Sequence, residues 1–168
     1  MFLTEQQFYD NSKKNHCKNW RPEHLGQRWK YHLSAINVLK SKNPKTILEV
    51  GSLGALLSDT SDTLDYDGKK NMDVWPVFNN VTYNHDLMSI PWPISDKKYD
   101  FFIALRVFHH LAPKQKECFQ EAKRISNNIL IAIPNAIPLS TVNSWNDGFQ
   151  PTKIIKSGFA TTVYYWSF

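Results

Sequence analysis

The chain has 168 residues, 42% of them hydrophobic and 21% charged, with a formal net charge of +5. That apolar content excludes a disordered segment, and a single domain of this length buries roughly 70% of the surface of its unfolded form without disulfides or structural zinc. The longest apolar run, near Tyr99 to Leu105, is far short of the roughly 20 residues of a membrane span, so membrane insertion is not expected.

Cys17 and Cys118 stand far apart with no CxxC, and the N-terminal residues have no leader-like apolar stretch, which predicts a cytoplasmic location. His16, Cys17, His24 and His32 match no common zinc spacing, so no metal site is expected. The basic residues are dispersed in small clusters at Lys13-Lys14, Lys69-Lys70 and Lys97-Lys98. They permit an anionic partner and equally suit a solvated surface. Without a basic helix or an aromatic RNA-binding motif, nucleic acid is the weaker expectation.

In chain order, residues 1–20 read as a polar, partly helical arm with scattered rings, a possible lid. Leu25, Trp29, Leu33, Ile36 and Leu39 then recur at helical spacing between Pro22, suited to a helix start, and Asn43-Pro44, suited to its end. Lys45 to Val50 reads as a buried strand entering Gly51-Ser52-Leu53-Gly54, with Ala55-Leu56-Leu57 opening a short helix. Thr63 to Asp67 is a weak second strand and Val81 to Asp86 a third. Tyr99 to Leu105 is a continuous apolar fourth strand, followed by a helix over Pro113 to Ser126 and a fifth strand over Asn128 to Ile133. The remainder reads as a loop from Asn135 to Gln150, a short helix from Thr152 to Gly158, and an aromatic strand from Thr161 to Phe168 at the sheet edge. This alternation predicts an α/β, mostly parallel sheet flanked by helices in one domain, 1–168, divided into an N-terminal arm and helix (1–44) and a core (45–168).

Ligands of open parallel sheets bind beyond the carboxyl ends of the strands, so the residues there are the candidate site. The first strand ends in Glu49-x-Gly51-x-x-Gly54, where glycine permits a tight turn and close backbone approach. The second ends in Asp65 or Asp67, either able to accept hydrogen bonds from a ribose diol. The third ends in Asp86, which can accept from an exocyclic amine or cap the following turn. The fourth runs into Leu105-Arg106-Val107-Phe108-His109-His110-Leu111.

The stretches ILEVGSLGALL, TLDYD, HDLMSIPWPISDKKYDFFIALRVFHHL and NILIAIPN, over about residues 46 to 135, resemble the class I S-adenosylmethionine-dependent methyltransferases, in particular the small branch labelled type 11. The resemblance implies a Rossmann-like three-layer sandwich with an antiparallel last strand, and S-adenosyl-L-methionine as cofactor. It further implies that Glu49, Gly51, Ser52 and Gly54 accommodate the methionine part, Asp65 the ribose, Asp86 and Leu87 the adenine side, and that Leu105 and Arg106 lie near the methionine moiety. Methyl transfer to an O or N atom of a small molecule or glycan is the implied activity, with His109 or His110 as general base.

The chain departs from that pattern where Leu53 replaces a further glycine and where the span from Gly54 to Asp65 is short for a crossover helix. These departures keep open a non-catalytic binding or scaffold subunit. A nicotinamide-dependent dehydrogenase fits less well, because GxGxxG is absent and Asp86 is left unexplained. Trp20, Arg21, Arg28, Trp29 and Tyr31 either cover the cofactor or pack the helix. Trp92 either flanks the adenine or fills the core. Arg106 either binds an anionic substrate group or pairs with a nearby acid. The aromatic last strand, if exposed, would suit a homodimer.

Overall fold

A computed structural model describes residues 1–14, 22–51, 55–66, 81–158 and 160–168. The described helices are α1 (Glu5–Lys14), α2 (Pro22–Lys42), α3 (Gln115–Ile125) and α4 (Leu139–Trp145), with a 3-10 turn at Phe108–His110. The strands are β1 (Ile47–Val50), β2 (Asp62–Asp65), β3 (Tyr83–Asn84), β4 (Tyr99–Leu105), β5 (Ser126–Pro134), β6 (Lys153–Ser157) and β7 (Thr161–Ser167). They form one sheet in the order β3-β2-β1-β4-β5-β7-β6. The pairs from β3 through β5 are parallel, and β7 runs antiparallel to both β5 and β6.

The near-continuous apolar strands follow from cover on both faces of the sheet. Phe101 and Ile103 of β4, Leu130 and Ala132 of β5, and Val163 and Tyr165 of β7 pack with Phe8 of α1 and Trp29, Ala35, Ile36 and Leu39 of α2. Phe102 and Ala104, Ile129 and Ile131, and Tyr164 and Trp166 point the other way, onto Phe119, Ala122 and Ile125 of α3 and Val142 and Trp145 of α4. Strand alternation therefore divides one sequence between two cores, giving the three-layer sandwich.

The α2 boundaries agree with the sequence reading. Asn43, at φ 47°, turns the chain out of the helix while its amide donates to the Leu39 carbonyl at 2.8 Å, a left-handed cap. The buried stripe is shifted, however. Leu33 is exposed, and His32 is buried between the rings of Phe8 and Tyr31. Burial pushes His32 down to about 4, so the ring is neutral at physiological pH, with Nδ1 2.8 Å from the Arg28 carbonyl oxygen. The core position that periodicity assigns to Leu33 is thus taken by the neighbouring His32.

Four expectations are corrected. Ala55–Leu57 is not helical: the Leu57 and Ser58 amides donate to the Glu49 carboxylate and the Leu57 carbonyl accepts from the Leu3 amide, which commits groups a helix would pair internally. Residues 152–158 contain β6 rather than a helix, because Lys153 to Ser157 pair residue for residue with β7. β7 is consequently interior, and the edge expected to face a second copy is occupied by β6. The 135–150 loop contains α4, anchored by Val142 and Trp145.

The N-terminal arm is docked through Met1, Phe2, Leu3 and Phe8. Phe2 bridges to Ser58, the terminal amino group pairs with Asp59, and Phe8 is fully buried against Trp29. Trp92 belongs to the core: it stacks on Phe102 at 5.5 Å, and its amide donates to Glu121 Oε2 at 2.8 Å. Arg124 completes this bracket, donating to both carboxylate oxygens of Glu121, to the carbonyls of Trp92 and Ile94, and to Asp96.

Candidate functional site

The strand order reverses direction between β1 and β4, with β2 and β3 on one side and β5, β7 and β6 on the other, and ligands of open α/β sheets bind at the carboxyl ends beside such a switch point. Gly51 leaves β1 at φ 61°, and a Cβ there would lie 2.5 Å from Val107 Cγ2. Only glycine suits a left-handed turn pressed this closely against a neighbouring side chain. Its amide donates to Asp65 Oδ1 at 2.9 Å, so the turn after β1 and the acid ending β2 are fastened together. Asp65 Oδ2 is buried with no hydrogen-bond partner among the described residues. Burial pushes Asp65 up to about 6, against the pull of the Gly51 amide.

Gly51→Ala is expected to destabilise the protein by about 2 kcal/mol or more, from left-handed strain together with overpacking. Urea unfolding of this variant and of Gly51→Ala/Val107→Ala checks it: the second change should recover the steric part only. Equal stability of Gly51→Ala and wild type would contradict the turn geometry.

Glu49 shares with Ile47 the sheet face that looks toward α2, and it is buried. Its carboxylate accepts the Leu57 amide at 2.9 and 3.0 Å and the Ser58 amide at 3.3 Å, tying down the chain between β1 and β2. Burial pushes it up to about 7, with these amides opposing. Asp86 lies in the turn after β3, where Oδ1 accepts the Met88 amide at 2.9 Å. Leu87 packs against the α3-side core, and its carbonyl accepts from Trp92 Nε1 at 3.0 Å and from the Cys118 thiol. The Cys118 thiol is pushed up to about 11 by burial. Asp86 and Leu87 thus sit in a turn after β3 that is fixed to the α3-side core.

Leu105 ends β4 and packs on the α2-side core. Arg106 follows at φ 65°, its amide donating to the Ala132 carbonyl at 2.8 Å. Its guanidinium lies over the start of β7, with Nη1 3.5 Å from the Ala160 carbonyl oxygen and from Thr161 Oγ1. In the 3-10 turn beyond it, the His109 and His110 rings lie 3.8 Å apart. His109 is pushed down to about 4 by burial, by His110 and by Arg106, and its Nδ1 is buried with no partner among the described residues. His110 is exposed.

Ser52, Gly54 and Asp67 lie outside the described residues, as do His16, Cys17, Trp20 and Arg21. Among the described residues, no group of three or more His, Cys, Asp or Glu side chains is placed to hold a metal, and no helix is long and apolar enough to cross a membrane. Sequence reasoning missed Val107 as the wall against Gly51 and Thr161 as a neighbour of Arg106. No local signal marks either, since both contacts are made across the sheet.

The sequence matches no family model and no curated protein. Its architecture is nonetheless shared with solved structures. A SAM-dependent methyltransferase from Aquifex aeolicus superposes with a TM-score of 0.58 at 16% identity, over 91% of this chain and 96% of the other. An S-adenosyl-L-methionine-dependent methyltransferase structure from Methanococcus maripaludis gives 0.57 at 15% identity, over 99% and 96%. An rRNA methylase from Escherichia coli gives 0.56 at 10% identity, over 87% and 65%. The fold is therefore that of the class I S-adenosylmethionine-dependent methyltransferases: a mostly parallel seven-stranded sheet with one antiparallel strand and helices on both faces.

Proposed function

We propose that the protein is an S-adenosylmethionine-dependent methyltransferase that modifies an oxygen or nitrogen of a small molecule or glycan. The observation that carries this reading is the junction of Gly51 and Asp65 at the switch point of a methyltransferase fold: a left-handed glycine turn beside a buried carboxylate whose second oxygen has no partner among the described residues. A ribose hydroxyl is a donor of the right kind for that oxygen, and the glycine backbone allows a ligand to approach closely. These residues fit the cofactor.

On this reading Asp65 accepts from the ribose, and Gly51 lies along the methionine part. Asp86 and Leu87 bound the adenine side, Leu105 lies near the methionine end, and Glu49 acts beneath the site by holding residues 57–58 in place. S-adenosyl-L-methionine, when bound, supplies an electrophilic methyl group on a sulfonium. The chain's own contribution is positioning, exclusion of water and handling of the acceptor's proton. His109, uncharged at neutral pH, is the side chain best placed to take that proton, and His110 is the alternative.

A non-catalytic binding subunit remains the second reading, favoured by one feature: residues 55–57, expected as the start of a helix, are not helical, and the Leu57 amide is held by Glu49. The test is transfer of radiolabelled methyl from S-adenosylmethionine to separate small-molecule, glycan and ribosomal RNA fractions. Label in the first two, reduced about 100-fold or more in His109→Ala, is expected from a lost acid-base group. Label confined to RNA would overturn the acceptor class. No label in any fraction, with cofactor bound, would favour the binding subunit.

A further inference from the structure

Arg106 is the side chain at this site whose circumstances are least explained by packing. It is a half-buried guanidinium, yet no described carboxylate pairs with it: the ion pairs between described residues are made by Met1, Lys116 and Arg124. Its two side-chain contacts are both at 3.5 Å, the limit of a hydrogen bond, so a group with five N–H donors is nearly unspent. No Arg106 nitrogen is among the buried atoms left without a partner, so the remaining N–H groups are open to solvent and to an incoming anion.

The surroundings add positive charge. Burial, and after it the nearby Arg28 on α2, disfavour the Arg106 charge, and Arg28 Nη1 donates to the Tyr31 hydroxyl at 3.3 Å. That phenol, kept protonated by burial, retains its own proton to donate. Arg106 is also held at φ 65°, a left-handed conformation that costs about 1 kcal/mol or more in a residue other than glycine. The strained backbone aims an unneutralised guanidinium across the end of β4 toward the start of β7, three residues ahead of His109.

We infer that Arg106 forms, with Tyr31 and in the field of Arg28, an anion subsite that holds a carboxylate or phosphate monoester of the methyl acceptor beside His109. This inference deepens the proposed function and rests on it for the word acceptor. The anion site itself does not depend on that reading. A planar fork suits both oxyanions, since each offers two oxygens at matching spacing. Binding also has a chemical consequence. An anion on Arg106 cancels one of the charges holding His109 neutral, so the imidazole becomes a stronger base when an acceptor is in place. The same guanidinium would then select the substrate and activate the base.

The experiment uses the full chain, titrated with inorganic phosphate and separately with acetate at constant ionic strength, with the His109 ring followed by NMR. The titrations are made in the absence and presence of saturating S-adenosylhomocysteine. Wild type should bind at least one anion in both states with an upward shift of the His109 titration. Arg106→Gln should weaken that binding roughly 10- to 100-fold, the range for loss of charged hydrogen bonds. Arg106→Lys, which keeps the charge and loses the fork, should fall between them, and unfolding curves establish that both variants are folded.

Tighter binding of phosphate would assign a phosphate ester, and tighter binding of acetate a carboxylate. Anion binding unchanged in Arg106→Gln, or absent in wild type, would overturn the site. S-adenosylhomocysteine binding that falls in Arg106→Gln while 5′-methylthioadenosine binding does not would also overturn it, because Arg106 would then serve the cofactor's own carboxylate. Failure of wild type to bind S-adenosylhomocysteine at all would remove the methyltransferase reading and leave the anion site standing on its own titration.

Discussion

Glu49→Gln should gain about 3 kcal/mol of stability relative to wild type between pH 4.5 and 8. In the folded protein burial raises the Glu49 carboxyl from 4.5 to about 7, so over this window the folded chain holds a proton that the unfolded chain has released. Stability falls as pH rises wherever the folded state binds more protons, and a shift of this size corresponds to about 3 kcal/mol. The contribution is fully present below pH 4.5 and is lost on passing through pH 7. Asp65, raised from 3.8 to about 6, adds a slope of the same sign at lower pH. Urea unfolding at pH 4.5 and pH 8 checks the prediction. The variant should keep the Asp65 slope and the opposing slopes of His32 and His109, whose lowered values leave the folded chain with fewer protons than the unfolded one between about pH 4 and 6.5. The Glu49 contribution is therefore read as the difference between variant and wild type, in which any fixed penalty from setting a carboxamide against the Leu57 and Ser58 amides cancels between the two pH values. Equal slopes in variant and wild type would mean that Glu49 ionises freely.

Arg124→Met should cost about 3 kcal/mol, the lower end of the range for breaking a buried ion pair, because the Arg124 side chain keeps 28% of its exposure. The loss leaves the Glu121 carboxylate, 11% exposed, without its cation and the Trp92 and Ile94 carbonyls without their donor. These groups fasten the segment carrying Trp92 to α3, so the change should also loosen the turn that carries Asp86 and Leu87. Glu121→Gln/Arg124→Met should recover part of the loss by removing the stranded charge. Guanidinium unfolding measures both variants. A cost below about 1 kcal/mol for Arg124→Met, the range of exposed pairs, would contradict the bracket.

The parts of the fold legible in the sequence are those where local pattern and tertiary environment agree. Tyr99 to Leu105 is apolar at every position except Asp100 because β4 lies mid-sheet beneath helices on both faces, and Pro22 and Asn43 punctuate α2 by backbone chemistry that acts locally. The misread elements depend on distant partners. Lys153 to Ser157 has no distinguishing period, and its strand identity comes from pairing with β7. Once β6 lies outside it, β7 becomes interior, which explains why Val163 to Trp166 are all buried. α4 was hidden by Ser140, Thr141, Asn143 and Ser144, residues of poor helix propensity whose helix is held by the packing of Val142 and Trp145.

The candidate site divides in the same way. Strand-end glycine and acids are visible because their chemistry is set by position along a strand, and the structure places Gly51 and Asp65 in direct contact. Glu49 was legible as an acid at a strand end, but its commitment to the Leu57 and Ser58 amides was not, since it depends on a crossover that lacks the expected helix at 55–57. Arg106 stood out by residue type alone. Its positive φ, and its approach to Arg28 and Tyr31, arise only when α2 packs over the end of β4.

Calorimetric titration with S-adenosylhomocysteine, with NAD as the competing ligand, decides whether the Gly51–Asp65 junction holds the cofactor proposed for it. Wild type should bind S-adenosylhomocysteine and not NAD, and Asp65→Ala should lose at least tenfold in affinity, the equivalent of about 1.4 kcal/mol. Folded wild-type protein that takes up no S-adenosylhomocysteine, or that binds it equally well after Asp65→Ala, would contradict the assignment of this junction.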